Sequence, residues 1–226
     1  MIPTRAVERG LLTRHHWVVG IDEVGRGAVA GPVSVGAAVV GRTTRRTFPP
    51  GLRDSKLLTP EAREQLCAPI RAWAVATTVG HASPAEIDSA GIMSALRLAA
   101  ARAVRQLHQQ GIVPTAAILD GNHNWLAADL LDDPVVRDSL TFEEVVLAVK
   151  ADASCAVVAA ASVVAKVERD GLMCALPDPG YGWVQNKGYA VAAHLDAITR
   201  LGACEQHRRS WRLPPGVDAP GGMMVQ

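Results

Sequence analysis

The residues best able to do chemistry in this chain are four carboxylates placed where apolar runs stop. Trp17 to Ile21 ends in Asp22-Glu23, and Ala116 to Leu119 ends in Asp120-Gly121. Asp152 follows the run Phe142 to Val149 and precedes a long apolar stretch. Such runs predict buried strands, and neighbouring strand ends lie close in space, so acids far apart in the chain can meet at one sheet edge. Carboxylates gathered in that way repel and do not all stay ionised without a cation. Mg²⁺ is held by a few carboxylates, waters and substrate phosphate oxygens, and a pair of such ions activates water and stabilises the leaving oxygen of a phosphodiester. Asp22, Glu23, Asp120 and Asp152 are therefore the expected catalytic and metal-binding set.

Two of these positions carry a geometric question. Successive strand residues point to opposite faces, so Asp22 and Glu23 share a site only if the strand turns at Glu23 or if Glu23 contributes partly through its backbone carbonyl. The Gly25-Arg26-Gly27 that follows makes such a turn easy. Asp152 stands just before a helical pattern, where a carboxylate also caps backbone N–H groups, so capping and metal binding are both open to it.

Other motifs are weaker on their own. Gly25 to Gly31 has the glycine content of a dinucleotide-binding loop, but its third glycine comes one place late and Pro32 opens a strand pattern rather than a helix. A glycine-lined backbone close to a sugar-phosphate chain, with Arg26 near a phosphate, is the better use. Asp54-Ser55-Lys56 offers phosphate contacts in Ser55 and Lys56, or is simply a loop that leads into a helix. Seven histidines show no H-x-x-x-H spacing, and Cys67, Cys155, Cys174 and Cys204 show no C-x-x-C pairing, which argues against a zinc hydrolase.

The elements that must position the acids follow from the pattern. Strands are expected at Trp17–Ile21, Val33–Val40, Ala74–Val79, Ala116–Leu119 and Phe142–Val149. Ser83-Pro84-Ala85-Glu86 reads as a capping box. Ile92, Leu96, Ala99, Ala103 and Leu107 then recur at helical spacing, with Arg97, Arg102, Arg105, Gln106 and Gln109 on the other side and Gly111 at the end. Ala153 to Val167 is apolar almost all round, as in a buried helix, and Val191 to Leu201 is a further helix. If one helix runs unbroken from Asp152, Asp170 stands 18 residues on at about 1.5 Å each, roughly 27 Å away, and is left out of the site. Lys166 and Arg169 are expected to pair with Glu168 or Asp170. Strands mixed with helices predict an α/β protein with one main sheet.

Composition sets the limits. The 226 residues suffice for one core with a small appended subdomain, built mainly from Ala, Val, Leu and Ile because only two Tyr and two Phe occur. Net charge is +1, but it is unevenly spread: from Asp120 to Glu144 the balance is −6, and from Asp178 to Arg212 it is +2. Such a chain can hold a polyanion at one place and metal at another. The charged N-terminus is no secretory signal. The longest uncharged stretch, the 15 residues from Gly27 to Gly41, is too short and too broken by Pro32 to span a bilayer. No membrane role, a reducing cytoplasm, and a monomer without an obligate protein partner are expected.

Taken in order, these segments resemble bacterial ribonuclease HII, of the ribonuclease H-like superfamily. The matching pieces are Gly20 to Gly27, Gly31-Pro32-Val33, Asp54-Ser55-Lys56, Leu119-Asp120-Gly121 and Lys150-Ala151-Asp152-Ala153. They continue with Ala159 to Ser162, Ala165-Lys166, Arg169-Asp170, Asn186-Lys187-Gly188-Tyr189, His194 and His207-Arg208. The resemblance implies a five-stranded mixed sheet flanked by helices over 17–176, a small C-terminal helical region over 177–212 that completes the substrate groove, a lead over 1–16 and a loose tail over 213–226. It implies two Mn²⁺ or Mg²⁺ ions, bound with substrate by Asp22, Glu23, Asp120 and Asp152. It implies cleavage of RNA–DNA hybrids, and of duplex DNA on the 5′ side of an embedded ribonucleotide, leaving 3′-hydroxyl and 5′-phosphate ends. Gly25, Arg26 and Gly27 would read the ribose 2′-hydroxyl, the handle that marks RNA within a duplex. Tyr189 would pack beside the next sugar, with Ser55, Lys56 and Lys187 among the substrate contacts. Trp211 replaces the Phe more usual in the family, and 122–138 aligns poorly. The sister family, ribonuclease HIII, would need an added N-terminal domain for which the 21 residues before Asp22 leave no room. A catalytically silent hybrid-binding protein is the rival of another class; the presence of all four carboxylates argues against it.

Overall fold

A computed structural model describes residues 2–127 and 134–215. In chain order its elements are α1 (Ala6–Leu11), β1 (Trp17–Val24), β2 (Val33–Gly41), α2 (Pro60–Trp73), β3 (Ala76–Ala82), α3 (Pro84–Gln109), β4 (Ala116–Asp120), α4 (Pro134–Ser139), β5 (Glu144–Ala148), α5 (Ala151–Ser154), α6 (Ala156–Ala175), α7 (Trp183–Asn186) and α8 (Ala192–Leu201), with a 3-10 turn at Ser55–Leu57. The expected loose tail lies outside the described residues from position 216, as does 128–133 of the poorly aligned segment.

The five strands form one sheet in the order β3-β2-β1-β4-β5. β1, β2 and β3 pair antiparallel, while β4 and β5 run parallel to β1. A parallel neighbour needs a crossover, which α3 supplies between β3 and β4. This is the mixed five-stranded sheet flanked by helices that the sequence led us to expect. Among the described residues no helix is long and apolar enough to cross a membrane, and all four cysteines are free.

Alternation along β1 sorts the core into two layers. Val18 faces α6 and α2 together with Ala38 and Val40 of β2. Val19 and Ile21 face α3 with Val35, Ala37 and Val39. Few aromatics means that volume is filled by small side chains at close approach. A Cβ on Gly20 or Gly36 would lie 2.6 Å from the Val157 carbonyl carbon or 2.3 Å from the Ala161 oxygen, both in α6, and one on Gly80 would lie 2.0 Å from Ala99 O of α3. Both helices therefore lie against the sheet at backbone contact. A third cluster joins Val29, Ala30 and Met173 to Tyr181, Trp183, Ala197 and Ile198 of the C-terminal helical region.

Several boundaries differ from expectation, each for a tertiary reason. β1 runs on through Asp22 and Glu23 to Val24 because β2 pairs along its whole length. β3 starts two residues later than expected and β5 is shorter at both ends. The capping box at Ser83 is present, but α3 kinks at Gly91 (φ 79°, ψ 160°). Arg97, expected on its polar side, is buried and donates to Trp125 O at 2.8 Å. The single buried helix from Asp152 is two helices, separated by an extended Cys155 (φ −113°, ψ 122°). Thr4 makes that break: its N–H donates to Ser154 O (2.8 Å) and its carbonyl accepts from Ala156 N (2.9 Å). The buried Glu8 then accepts from Val157 N at 2.8 Å, a carboxylate at the positive end of α6. The first sixteen residues thus set where α6 begins.

Replacing Gly36 with Ala should lower stability by about 1–3 kcal/mol, the usual cost of overpacking a filled core, read as a lower urea midpoint. An unchanged midpoint would mean that α6 can move off the sheet.

Candidate active site

Asp22 and Asp120 come together through strand register. Ile21 pairs with Leu119 across β1 and β4, so the next residue on each strand is a carboxylate at the C-terminal end of a parallel pair. Ligands of open α/β sheets bind outside those ends. β5 extends the row: Asp120 pairs with Ala148, and Gly121 N donates to Ala148 O at 3.0 Å. The chain then turns through Lys150, a non-glycine residue in the left-handed region (φ 57°), and presents Asp152 from α5. Asp120 accepts from Ala151 N at 2.6 Å, which ties the β4 acid to the start of that helix. Asp152 lies inside α5 and caps nothing; the cap position of α5 belongs to Lys150 and that of α6 to Cys155.

Asp22 is the most deeply placed acid. It faces α6, where Ser162 hydrogen-bonds to it, and Ser162 in turn lies 2.8 Å from Ser55 Oγ. Burial, then the neighbouring Glu23, Asp152 and Asp120, push its pKa up to about 8 against the pull of the Ser162 hydrogen bond. Asp152 is raised as well, by burial and by Asp120 and Asp54, with Lys56 acting the other way from 3.3 Å. The strand does not turn at Glu23. The turn comes at Gly25 (φ 78°), so the Glu23 side chain leaves on the face opposite Asp22 and stands 3.5 Å from Arg26. Its backbone remains beside Asp22 on the wall of an open cavity of about 260 Å³ that Gly25, Arg26, Ser55, Lys56 and Tyr189 also line.

The candidate ligands, Asp22 and Glu23 on the cavity wall with Asp120 and Asp152 close to Asp22, offer only oxygen, which suits a hard divalent cation. Three or more carboxylates crowd one another, with the Lys56 ammonium as their near counter-charge. Among the described residues no three such side chains close into a cage by themselves.

The turn beside the acids is held from beneath by two buried arginines. Arg208 donates to the carbonyls of Gly25 (2.7 Å), Arg26 (2.9 Å) and Gly31 (3.1 Å). Arg169 donates to those of Pro32 (2.9 Å), Lys187 (3.0 Å) and Ala30 (3.2 Å). Neither has a carboxylate partner among the described residues. A Cβ on Gly25 would lie 2.0 Å from Arg169 Nε, so that glycine is required by contact as well as by conformation. With the Gly25 and Arg26 carbonyls engaged inward, Arg26 and Gly27 keep backbone N–H groups that have no acceptor among the described residues. Sequence reasoning missed this use of both arginines. Arg169 was expected to pair with an acid, but Glu168 goes to His81, and Asp170 is shared by Lys166 (2.8 Å) and Arg63 (3.5 Å).

Tyr189 is fixed over the same helix. Lys166 Nζ and Arg169 Cζ lie 5.3 and 5.4 Å from its ring centre, within cation–π range. Gly188 O accepts from Val29 N and Ala30 N, which stitches the Lys-Gly-Tyr segment to the glycine turn. The Lys187 ammonium turns to Cys174 Sγ and Val184 O, away from the acids, while its backbone (φ 50°) is the second left-handed non-glycine residue. Tyr189 O accepts from His194 Nδ1 (2.8 Å), and His194 Nε2 meets His207 Nε2 at 3.1 Å. His207 Nδ1 takes the Cys204 N–H at 3.0 Å, so the proton shared by the two rings rests on His207 Nε2 and both rings are neutral.

A ribonuclease H-like α/β sheet carrying a row of acids at its parallel strand ends defines a class of metal-dependent nucleases. The family model described as Ribonuclease HII matches residues 19–213. The Ribonuclease HII of Streptomyces avermitilis is 43% identical over 213 residues, 92% of this chain and 83% of that one. Among solved structures, the chain is similar to the RNase HII of Archaeoglobus fulgidus, solved in complex with PCNA (TM-score 0.64, 28% identity, 87% of this chain and 96% of that one). It is also similar to Bst-RNase HIII in complex with Mn²⁺ (TM-score 0.62, 25% identity, 81% and 60%). The chain belongs to the ribonuclease HII family. It is a ribonuclease H endonuclease, of a family that acts on RNA–DNA hybrids and requires a divalent metal.

Arg208→Met should destabilise the fold by about 3 kcal/mol, because it leaves buried carbonyls without a charged donor; a melting temperature equal to the parent would deny Arg208 that role. His207 is expected to matter below neutrality. Burial, then His194, hold its pKa down at about 4, so the folded chain stays neutral while the unfolded chain takes up a proton. Its contribution is complete above the ordinary histidine pKa and is lost as pH falls toward 4. The urea midpoint of the parent should therefore drop more between pH 7 and 4.5 than that of His207→Gln; parallel curves would remove His207 from the balance.

Proposed function

We propose that this enzyme cuts duplex DNA on the 5′ side of single embedded ribonucleotides as well as the RNA strand of hybrids, leaving 3′-hydroxyl and 5′-phosphate ends. The observation that carries the reading is the meeting of Asp22 and Asp120 at paired strand ends, with Asp152 alongside, where Asp22 shares a cavity wall with Gly25, Arg26 and Tyr189. Asp22, Asp120 and Asp152 would offer side-chain oxygens to two Mn²⁺ or Mg²⁺ ions, and Glu23 its backbone carbonyl, since its side chain leaves on the other face. Divalent ions supply Lewis acidity at the phosphate and a more acidic water.

The remaining work falls to the chain's own groups. The outward N–H groups of Arg26 and Gly27 suit a ribose hydroxyl, which accepts as well as donates. The Arg26 guanidinium and the exposed Lys56 ammonium suit flanking phosphates. Ser55 acts at one remove, because its hydroxyl is engaged with Ser162. Tyr189, clamped by Lys166 and Arg169, would stack against the next sugar. Lys187 would act through the backbone that Arg169 holds. The enzyme is proposed to work as a monomer in the reducing cytoplasm, consistent with its four free thiols.

A DNA duplex with one ribonucleotide should be cut in Mg²⁺ or Mn²⁺ and spared in EDTA, and Asp120→Asn should abolish cutting while duplex binding persists. Cleavage in chelator would remove the metal, and turnover by the variant would move the site elsewhere.

A further inference from the structure

A second concentration of charge lies at the other end of the sheet. Between α1 and the turn after β2 is a cavity of about 200 Å³ whose walls include Arg5, Arg9, Arg42 and Arg46 and no acidic side chain. Gly41, also on its wall, pairs with Trp17 at the start of β1. Five residues of strand, about 17 Å at 3.3 Å each, separate that end from Asp22, so the cavity is no part of the acid site.

Two of the guanidiniums form a fixed base. Arg5 is 7% exposed, lies 5.4 Å from the Trp73 ring centre, and donates from Nη1 to Thr44 O (3.1 Å) and Arg45 O (2.6 Å). Its Nε–H is buried without an acceptor among the described residues. Arg42 donates to Leu12 O (2.9 Å) and Thr13 O (3.3 Å). Arg9 and Arg46 are exposed on the rim, and no carboxylate among the described residues pairs with either. The neighbouring acid, Glu8, gives Oε1 to Val157 N at the start of α6; its charge acts on Arg5, but it does not line the cavity and pairs with none of Arg9, Arg42 and Arg46.

Like charges around one cavity repel, and carbonyl contacts orient guanidiniums without cancelling their charge. An anion cancels it. Guanidiniums favour oxyanions that accept two parallel hydrogen bonds, carboxylate and phosphate above all, and phosphate is the anion that a nuclease meets on every substrate. The geometry points to a phosphate-binding pocket formed by Arg5, Arg9, Arg42 and Arg46, remote from the acid centre. Its ligand is a phosphate group, carried either by a nucleic-acid strand or by a free phosphate compound. In the first case the protein has a second grip on nucleic acid, independent of ribose and of metal.

The test pairs Arg9→Ala/Arg46→Ala with a charge-matched control, Arg71→Ala/Arg105→Ala, whose residues are exposed and off the cavity. All four side chains are exposed, so unfolding midpoints without ligand should match the parent. In one arm, a long all-DNA duplex is titrated in EDTA over a range of salt. The slope of log affinity against log salt should fall by about 2 for the pocket variant, near one for each lost phosphate contact, and less for the control. In the other arm, pyrophosphate should raise the melting temperature of the parent and control but not of the pocket variant. A selective loss in the duplex arm identifies a strand phosphate, and a selective loss with pyrophosphate alone identifies a free one. A pocket variant that matches the control in both arms overturns the proposal.

Discussion

Helix α6 touches the sheet at backbone distance, and the rest of the site is measured from that contact. Gly20 and Gly36 carry no side chains to hold it off; Val157 meets the first from the other side, and Ala161 and Ala165 meet the second. Once α6 is seated, its later turns fall into place along one face. Ser162 meets Asp22 and Ser55, Lys166 and Arg169 meet the Tyr189 ring, and Arg169 passes under Gly25. Met173 ends the row against the C-terminal cluster. Interiors are close-packed and transmit displacement, so a shift of this helix would move the acid centre and the glycine turn together. The start of α6 is itself fixed from outside, by Thr4 and Glu8 of the N-terminal segment.

Charge around the strand ends is set by burial as much as by pairing. Asp22 and Asp152 hold protons more tightly than isolated carboxylates because burial and the neighbouring acids oppose their ionisation. Behind the neighbouring turn, Arg169 and Arg208 are buried on carbonyls and aromatic rings, and burial lowers the pKa of both, that of Arg208 to about 9. The acids crowd like charge at the strand ends, and the two arginines spend theirs on fixing the turn beside them.

Backbone strain falls beside the same groups. Lys150 and Lys187 are the non-glycine residues with positive φ among the described residues. One stands two residues before Asp152 and the other two before Tyr189. Left-handed backbone costs a residue with a Cβ on the order of 1 kcal/mol or more, and here the surroundings impose it. The Lys150 carbonyl starts α5 through Ala153 N and Ser154 N, and the Lys187 carbonyl is gripped by Arg169.

The strand-end acids were legible because their signal is local: an apolar run that stops at a carboxylate reads the same in any tertiary context. So were the capping box at Ser83, the existence of all five strands and the apolar helix after Asp152. What the chain's order alone did not decide were the matters settled by contact between distant segments. The break at Cys155 depends on Thr4, the straight run of β1 through Glu23 depends on pairing with β2, and the burial of Arg97, Arg169 and Arg208 depends on carbonyls brought to them by folding. An arginine that bonds to backbone leaves no partner residue in the sequence to betray it, since every residue carries a carbonyl. Hydrophobic period and turn chemistry are properties of neighbours along the chain and are written in it; the partners of a buried charge are neighbours in space, and only the folded molecule names them.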